Sequence, residues 1–149
     1  MPRHSTLIPL SHDHHEALLI ALRLKKGGPT SQHDHLWPTD TAKQLHYLKV
    51  FFENELLPHF KLEEEILFPV ASKLDELRPL VEKLLAQHTI MKGMMDQISK
   101  NDSIDESMKK TLTDFGVQLE SHIRTEEREL FPKLEEAEKE GRIVLPELK

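Results

Sequence analysis

His59-Phe60-Lys61-Leu62-Glu63-Glu64-Glu65-Ile66-Leu67-Phe68-Pro69 returns further along the chain as His122-Ile123-Arg124-Thr125-Glu126-Glu127-Arg128-Glu129-Leu130-Phe131-Pro132. Each copy sets a glutamate four residues after a histidine. The likeness extends upstream, with Phe52 and Leu56 ahead of His59 as Phe115 and Leu119 are ahead of His122. On a helix, residues i and i+4 lie one above the other on one face. An imidazole and a carboxylate stacked in this way, between large apolar residues, make half of a metal site. Two helices carrying such halves can make a whole one.

The bulk of the sequence narrows the chemistry. A chain of 149 residues is the size of one domain with its own core, with a bundle over about residues 11–140 and a short tail at 141–149. The net charge of −6 offers no basic footprint for nucleic acid or an anionic membrane. No apolar run has the length of a transmembrane helix, and the N-terminal stretch lacks a signal-peptide core, so a cytoplasmic setting is expected. There is no cysteine, hence no disulfide, thiolate site or iron–sulfur cluster. Any metal must be held by nitrogen and oxygen.

Periodicity predicts four helices. The first is capped by Ser11 and runs to about Lys26, with Ala17, Leu18, Ala21 and Leu22 at helical spacing and Gly27-Gly28-Pro29 to end it. At 100° per residue His14 falls within roughly 40° of the centre of the apolar face, whereas His15 lies more than about 120° away and His12 further still. A polar connection with His33, His35 and Trp37 leads to a second helix from Thr39-Asp40 to Phe68, which places Leu45, Leu48, Phe52, Leu56, His59, Glu63 and Ile66 inward, Glu55 near the stripe and His46 outward. Pro58 is expected to bend this helix or loosen one hydrogen bond, and Pro69 to close it. The third helix starts near Asp75, with Arg78-Pro79 as first turn or kink, and lines up Leu77, Val81, Leu84, His88, Met91, Met95 and Ile98. Asn101-Asp102-Ser103 reads as a capped turn. The fourth runs through Leu112, Phe115, Leu119, His122 and Glu126 to about Glu140, with Gly141 as the stop and the tail along the outside. Short links between four helices describe an all-α, up-down-up-down bundle.

Six polar residues, His14, His59, Glu63, His88, His122 and Glu126, therefore fall on the inner stripes. A single inward histidine is most often a hydrogen-bonded core residue. A repeated His-x3-Glu pair in the same apolar frame, with a histidine on each remaining helix, needs a shared compensation, because unpaired burial costs a few kcal/mol per group. Glu64 and Glu127 point further round, towards solvent or behind the first ring of donors. Leu67-Phe68-Pro69 and Leu130-Phe131-Pro132 read as packing and helix termination, and Met91, Met94 and Met95 as core. Imidazole with carboxylate suits iron, manganese or zinc.

At these residues the chain resembles the hemerythrin-like family, the HHE cation-binding domain, from His14 to Pro132. The resemblance rests on Asp13-His14, His59-x3-Glu63, His88 and His122-x3-Glu126. It implies a four-helix bundle around two iron ions (Fe2+/Fe3+, with a bridging oxo or hydroxo group), Glu63 and Glu126 as bridging carboxylates and the histidines as terminal ligands. It also implies a small partner, O2, NO or peroxide, bound or sensed at the centre. Two departures stand out. Oxygen carriers of the family have a second third-helix histidine where this chain has Lys92. Relatives linked to iron–sulfur repair draw a histidine from near the start of the second helix, and His35, 24 residues before His59, falls about there and is a candidate ligand. The cysteine-bearing segment of those repair proteins is absent here. The donors also allow a metal-dependent enzyme, peroxidase-like or hydrolytic with zinc, or an iron-responsive interaction module. The hydrophobic set Phe52, Leu56, Phe115 and Leu119 is expected to form a collar over the site.

Overall fold

In the computed structural model, residues 3–26, 41–100 and 105–147 are described. His33, His35, Trp37, Thr39-Asp40 and the turn at Asn101-Asp102-Ser103 lie outside them. Four helical rods make up the described chain: α1 (Ile8–Lys26), α2 (residues 41–71), α3 (Arg78–Ser99) and α4 (residues 106–139). Among the described residues there is no strand, and no helix is long and apolar enough to cross a membrane.

Two apolar clusters fill the bundle, one towards each end. Ile20, Leu48, Phe52, Met95, Phe115 and Leu119 represent one. The other gathers Leu7 and Leu10 at the start of α1, Leu67 and Phe68 late in α2, Val81 and Leu84 early in α3, and Leu130 and Leu134 late in α4. Successive rods thus bring opposite ends to the same cluster, which is the up-down-up-down order. On every rod the inward polar residues fall between the two clusters: His14 between Leu10 and Ala17, Glu63 between Phe60 and Leu67, His88 between Leu84 and Met91, Glu126 between Ile123 and Leu130. The six form a buried polar layer across the middle of the bundle.

The prolines behave differently from expectation. Neither Pro69 nor Pro132 terminates a helix; α2 continues to Ala71 and α4 to Lys139. Each is preceded by a five-residue π turn, Glu63–Leu67 and Glu126–Leu130, and Pro58 follows a third, Phe52–Leu56. In each, the residue just before the proline donates its N–H five residues back: Leu57 to the Phe52 carbonyl, Phe68 to that of Glu63, Phe131 to that of Glu126. A proline ring inside an α-helix collides with the carbonyl four residues back and has no N–H to offer it. Adding one residue to the turn removes that collision while the helix carries on.

The wide turns also correct the wheel. After Glu63 the next fully buried residue is Leu67, and Ile66 is only partly covered; after Phe52 it is Leu56, and Glu55 is exposed. Inside a π turn the inner face recurs at i+4 instead of i+3. Three smaller corrections concern the ends. Helix α1 begins at Ile8, so Ser11 lies within its first turn and its hydroxyl donates to Glu127. The cap of α4 is Asp105, which accepts from the Met108 N–H at 2.8 Å. The tail is not confined to the outside, since Ile143 and Leu145 are buried in the second cluster. Gly141 does stop α4: at φ 75 it lets the Arg142 N–H reach the Ala137 carbonyl and its own N–H reach that of Glu138.

Candidate metal centre

Every rod contributes a histidine, and α2 and α4 each add the glutamate four residues later. His14 and His59 are 3 % and 4 % exposed, His88 and His122 1 %, and Glu63 and Glu126 are fully covered. His12, His15 and His46 are exposed, as their places on the helical wheel require. The structure brings together six of the seven candidate ligands; the seventh, His35, lies outside the described residues.

The donors form two groups. One ligand atom each from His14, His59, Glu63 and Glu126 lie within 4.8 Å of one another, as do atoms from Glu63, His88 and His122. Donors on opposite sides of an ion at roughly 2.2 Å are about 4.4 Å apart, so either group is the right size for a cation. Glu63 belongs to both. Its Oε2 is 3.5 Å from His59 Nε2 and its Oε1 is 3.1 Å from His88 Nε2. Glu126 Oε1 sits 3.2 Å from both His14 Nε2 and His122 Nε2. The Nε2 atoms of His88 and His122 are 3.0 Å apart.

The far nitrogens explain why the near ones are free to ligate. His59 Nδ1–H donates to Asp13 at 3.1 Å, His88 Nδ1–H to Glu64 at 2.8 Å, and His122 Nδ1–H to the Gln87 amide oxygen at 2.7 Å. His14 Nδ1 faces Glu127 at a longer 3.7 Å. In the neutral ring, holding the proton on Nδ1 leaves the Nε2 lone pair pointed at the centre, an arrangement typical of metal-ligating histidines. The partners follow a ring: α1 supplies the acceptor for the histidine on α2, α2 for α3 and α3 for α4, while α4 sets Glu127 opposite the histidine of α1 beyond hydrogen-bond reach. In each case the partner is the sequence neighbour of an inward ligand (Asp13-His14, Glu63-Glu64, Gln87-His88, Glu126-Glu127). A helix presents neighbouring residues about 100° apart, so a rod that aims one side chain at the axis aims the next at the adjoining rod.

Aromatic rings hold the imidazoles in place. Phe60 stacks on His88 at 3.9 Å, Phe68 also on His88 at 5.5 Å, and Phe131 on His14 at 5.5 Å. The Leu-Phe-Pro segments therefore pack directly on the site. Of the expected collar, Leu56 lines a small cavity beside His14 and His59, while Phe52 and Phe115 lie a layer further out and meet each other at 6.2 Å. Lys92, in place of a histidine, reaches Glu64 at 3.3 Å and so touches the site through the partner of His88. The roles of Gln87, Asp13 and Phe60 were invisible to periodicity. The signal that could have found the first two is their place next to an inward histidine.

Burial and mutual charge shift His14, His88, His122, Glu63 and Glu126. Burial opposes the charged form of His14 and His122, but the carboxylates of Glu126 and its neighbours more than offset it and hold each at about 9. His88 is pushed down to about 4, by burial first and by His122 second. Glu63 is raised well above the carboxylate range by burial and by Glu126. Glu126 resists its own burial and lies well below that range because of His122, Glu63 and His14.

Hydrogen bonding leaves a residue of unmet need. Among the described residues, six buried side-chain polar atoms lack a hydrogen-bond partner: both nitrogens of His14, Nε2 of His59, Oε2 of Glu63 and both oxygens of Glu126. All belong to this one cluster. Orphaned buried polar atoms cost about 1–3 kcal/mol each, and lone pairs converging on common points are what a cation satisfies. The donor set fits a metal.

A four-helix bundle with a buried nitrogen–oxygen donor layer shared between its helices defines a class of non-haem metal-binding proteins. Within it the assignment is direct: the hemerythrin HHE cation-binding domain matches residues 6–134, and the chain belongs to the hemerythrin family. No curated protein and no solved structure gives a significant match.

Proposed function

We propose that the protein is a non-haem di-iron protein that binds or senses a small ligand, O2, NO or peroxide, at a carboxylate-bridged centre. Glu63 and Glu126 act as the bridging carboxylates, and His14, His59, His88 and His122 as terminal ligands. His35 is proposed as a further ligand on the sequence pattern alone. The observation that carries the reading is Glu63, whose two oxygens turn to histidines of opposite pairs. A single carboxylate divided in this way suits two cations, and it relieves their mutual repulsion.

Iron held by these donors supplies redox chemistry and affinity for small π-accepting or peroxidic ligands. The residues of the chain do the rest. Asp13, Glu64 and Gln87 fix the ring orientations and keep the Nδ1 protons away from the centre. Phe60, Phe68 and Phe131 exclude water from the imidazole faces. The cavity between α1 and α2, about 10 Å³ and lined by Asp13, His14, Ala17, Phe51, Leu56 and His59 among others, admits about one water-sized molecule. That size selects for a small ligand over an organic substrate.

The test is iron analysis of protein purified without an affinity tag, with visible spectra recorded without air, in air, and with NO or peroxide. About two iron ions per chain and a spectrum that responds to at least one of these ligands are expected. A colourless, fully loaded protein indifferent to all of them overturns the reading and leaves a zinc site activating water as its successor.

A further inference from the structure

The two halves of the donor cluster are built alike but surrounded differently. Each half sets two histidines beside the shared glutamates, with Glu126 Oε1 3.2 Å from both His14 and His122. Behind the first pair stand two carboxylates, Asp13 on His59 and Glu127 facing His14. Glu127 also accepts from the Ser11 hydroxyl at 2.7 Å, and Arg3, itself bonded to Glu135, approaches it at 3.8 Å. Behind the second pair stand a neutral amide, Gln87 on His122, and Glu64 on His88, which is matched by the Lys92 ammonium. Glu16 and Glu55 rim the cavity beside His14 and His59, adding negative charge on that side.

A carboxylate that accepts from Nδ1–H makes the imidazole a stronger donor than an amide does, and partners of this kind change metal affinity by about 10–100-fold. The first half therefore has a negative surround and the second a more neutral one. We infer that the two cation positions are inequivalent and fill in order, the His14/His59 position first and the His88/His122 position second, with Lys92 as the residue that weakens the latter. This rests on the dinuclear reading above. Lys92 and Asp13 would be positioning and tuning residues, since each acts through a ligand.

Two steps of unequal affinity are not themselves diagnostic, because a first cation repels a second even in equal sites. The variants are. Metal-stripped full-length protein is titrated with Co2+, followed by calorimetry and by visible absorption. Asp13→Asn and Lys92→Gln alter side chains that are 55 % and 45 % exposed, so folding is preserved. Under ordered filling, Asp13→Asn weakens the first step by about tenfold and leaves the second, while Lys92→Gln strengthens the second several-fold and leaves the first. In equivalent sites the first cation would avoid the damaged half, and Asp13→Asn would weaken the second step instead; that result overturns the inference and keeps the dinuclear centre. Uptake of fewer than two Co2+ per chain refutes the dinuclear reading itself.

Discussion

Replacing Glu63 and Glu126 by glutamine should have unequal consequences for the metal-stripped protein, although the two residues occupy matching places in the repeat. Burial and the neighbouring carboxylate push the Glu63 group well above the ordinary range, which favours its neutral, hydrogen-bonding form beside His88 Nε2 over that of Glu126. A neutral amide of the same shape changes little, within about 1 kcal/mol. Glu126 is the reverse. It stays ionised because it balances the imidazolium of His122 and, across the centre, that of His14. Each imidazole is held at about 9 against an ordinary 6.5, which corresponds to roughly 3 kcal/mol apiece at 1.36 kcal/mol per pH unit. The two terms share one anion and do not add. Removing one partner of a buried ion pair costs about 3–5 kcal/mol, and Glu126→Gln should lose that much. Urea denaturation at pH 7 of metal-stripped parent and variants measures both. Equal losses, or a larger loss for Glu63→Gln, would refute the assignment of charge within the cluster. Under the di-iron reading neither variant retains a full complement of iron.

The same groups set the pH dependence of the metal-stripped protein. His14 and His122, raised to about 9, give stability that is complete below pH 6.5 and is lost as pH climbs through 9; His88, lowered to about 4, gives stability present above pH 6.5 and lost as pH falls towards 4. Glu63, raised in the folded protein, opposes the His88 gain below pH 6.5, so melting temperatures should fall as pH climbs from 6.5 to 9, and a flat profile over that range would contradict these shifts. Gly116→Ala should destabilise by about 1–3 kcal/mol, because the new Cβ would lie 2.8 Å from the Ala21 carbonyl where α1 crosses α4. Gly93→Ala, with nothing within 4 Å, should stabilise α3 by about 0.5–1 kcal/mol, and paired chemical melts check the contrast. His12→Ala and His46→Ala alter exposed side chains and should leave iron content at the parent level by metal analysis.

Local periodicity is a property of one helix, and it made much of this protein legible in advance. The 100° step separated His14 from His15 and His12, and it lined up His59 with Glu63 and His122 with Glu126 without reference to any other rod. Where the step was wrong, at Ile66 and Glu55, the cause was also local and already written in the chain: a proline after each affected turn adds one residue to it. Relations between rods were not legible, because nothing in a single helix says what it will face. That Glu63 divides its oxygens between two histidine pairs, that Gln87 orients His122 and that Lys92 meets Glu64 are outcomes of packing four rods at set rotations. The charge states are further still from the sequence. Glu63 and Glu126 stand in matching motifs, yet burial in a shared layer raises the first carboxyl and lowers the second. The sequence by itself determined which side chains enter the core; tertiary structure decided which of them meet, and so how two alike motifs become unlike halves of one centre.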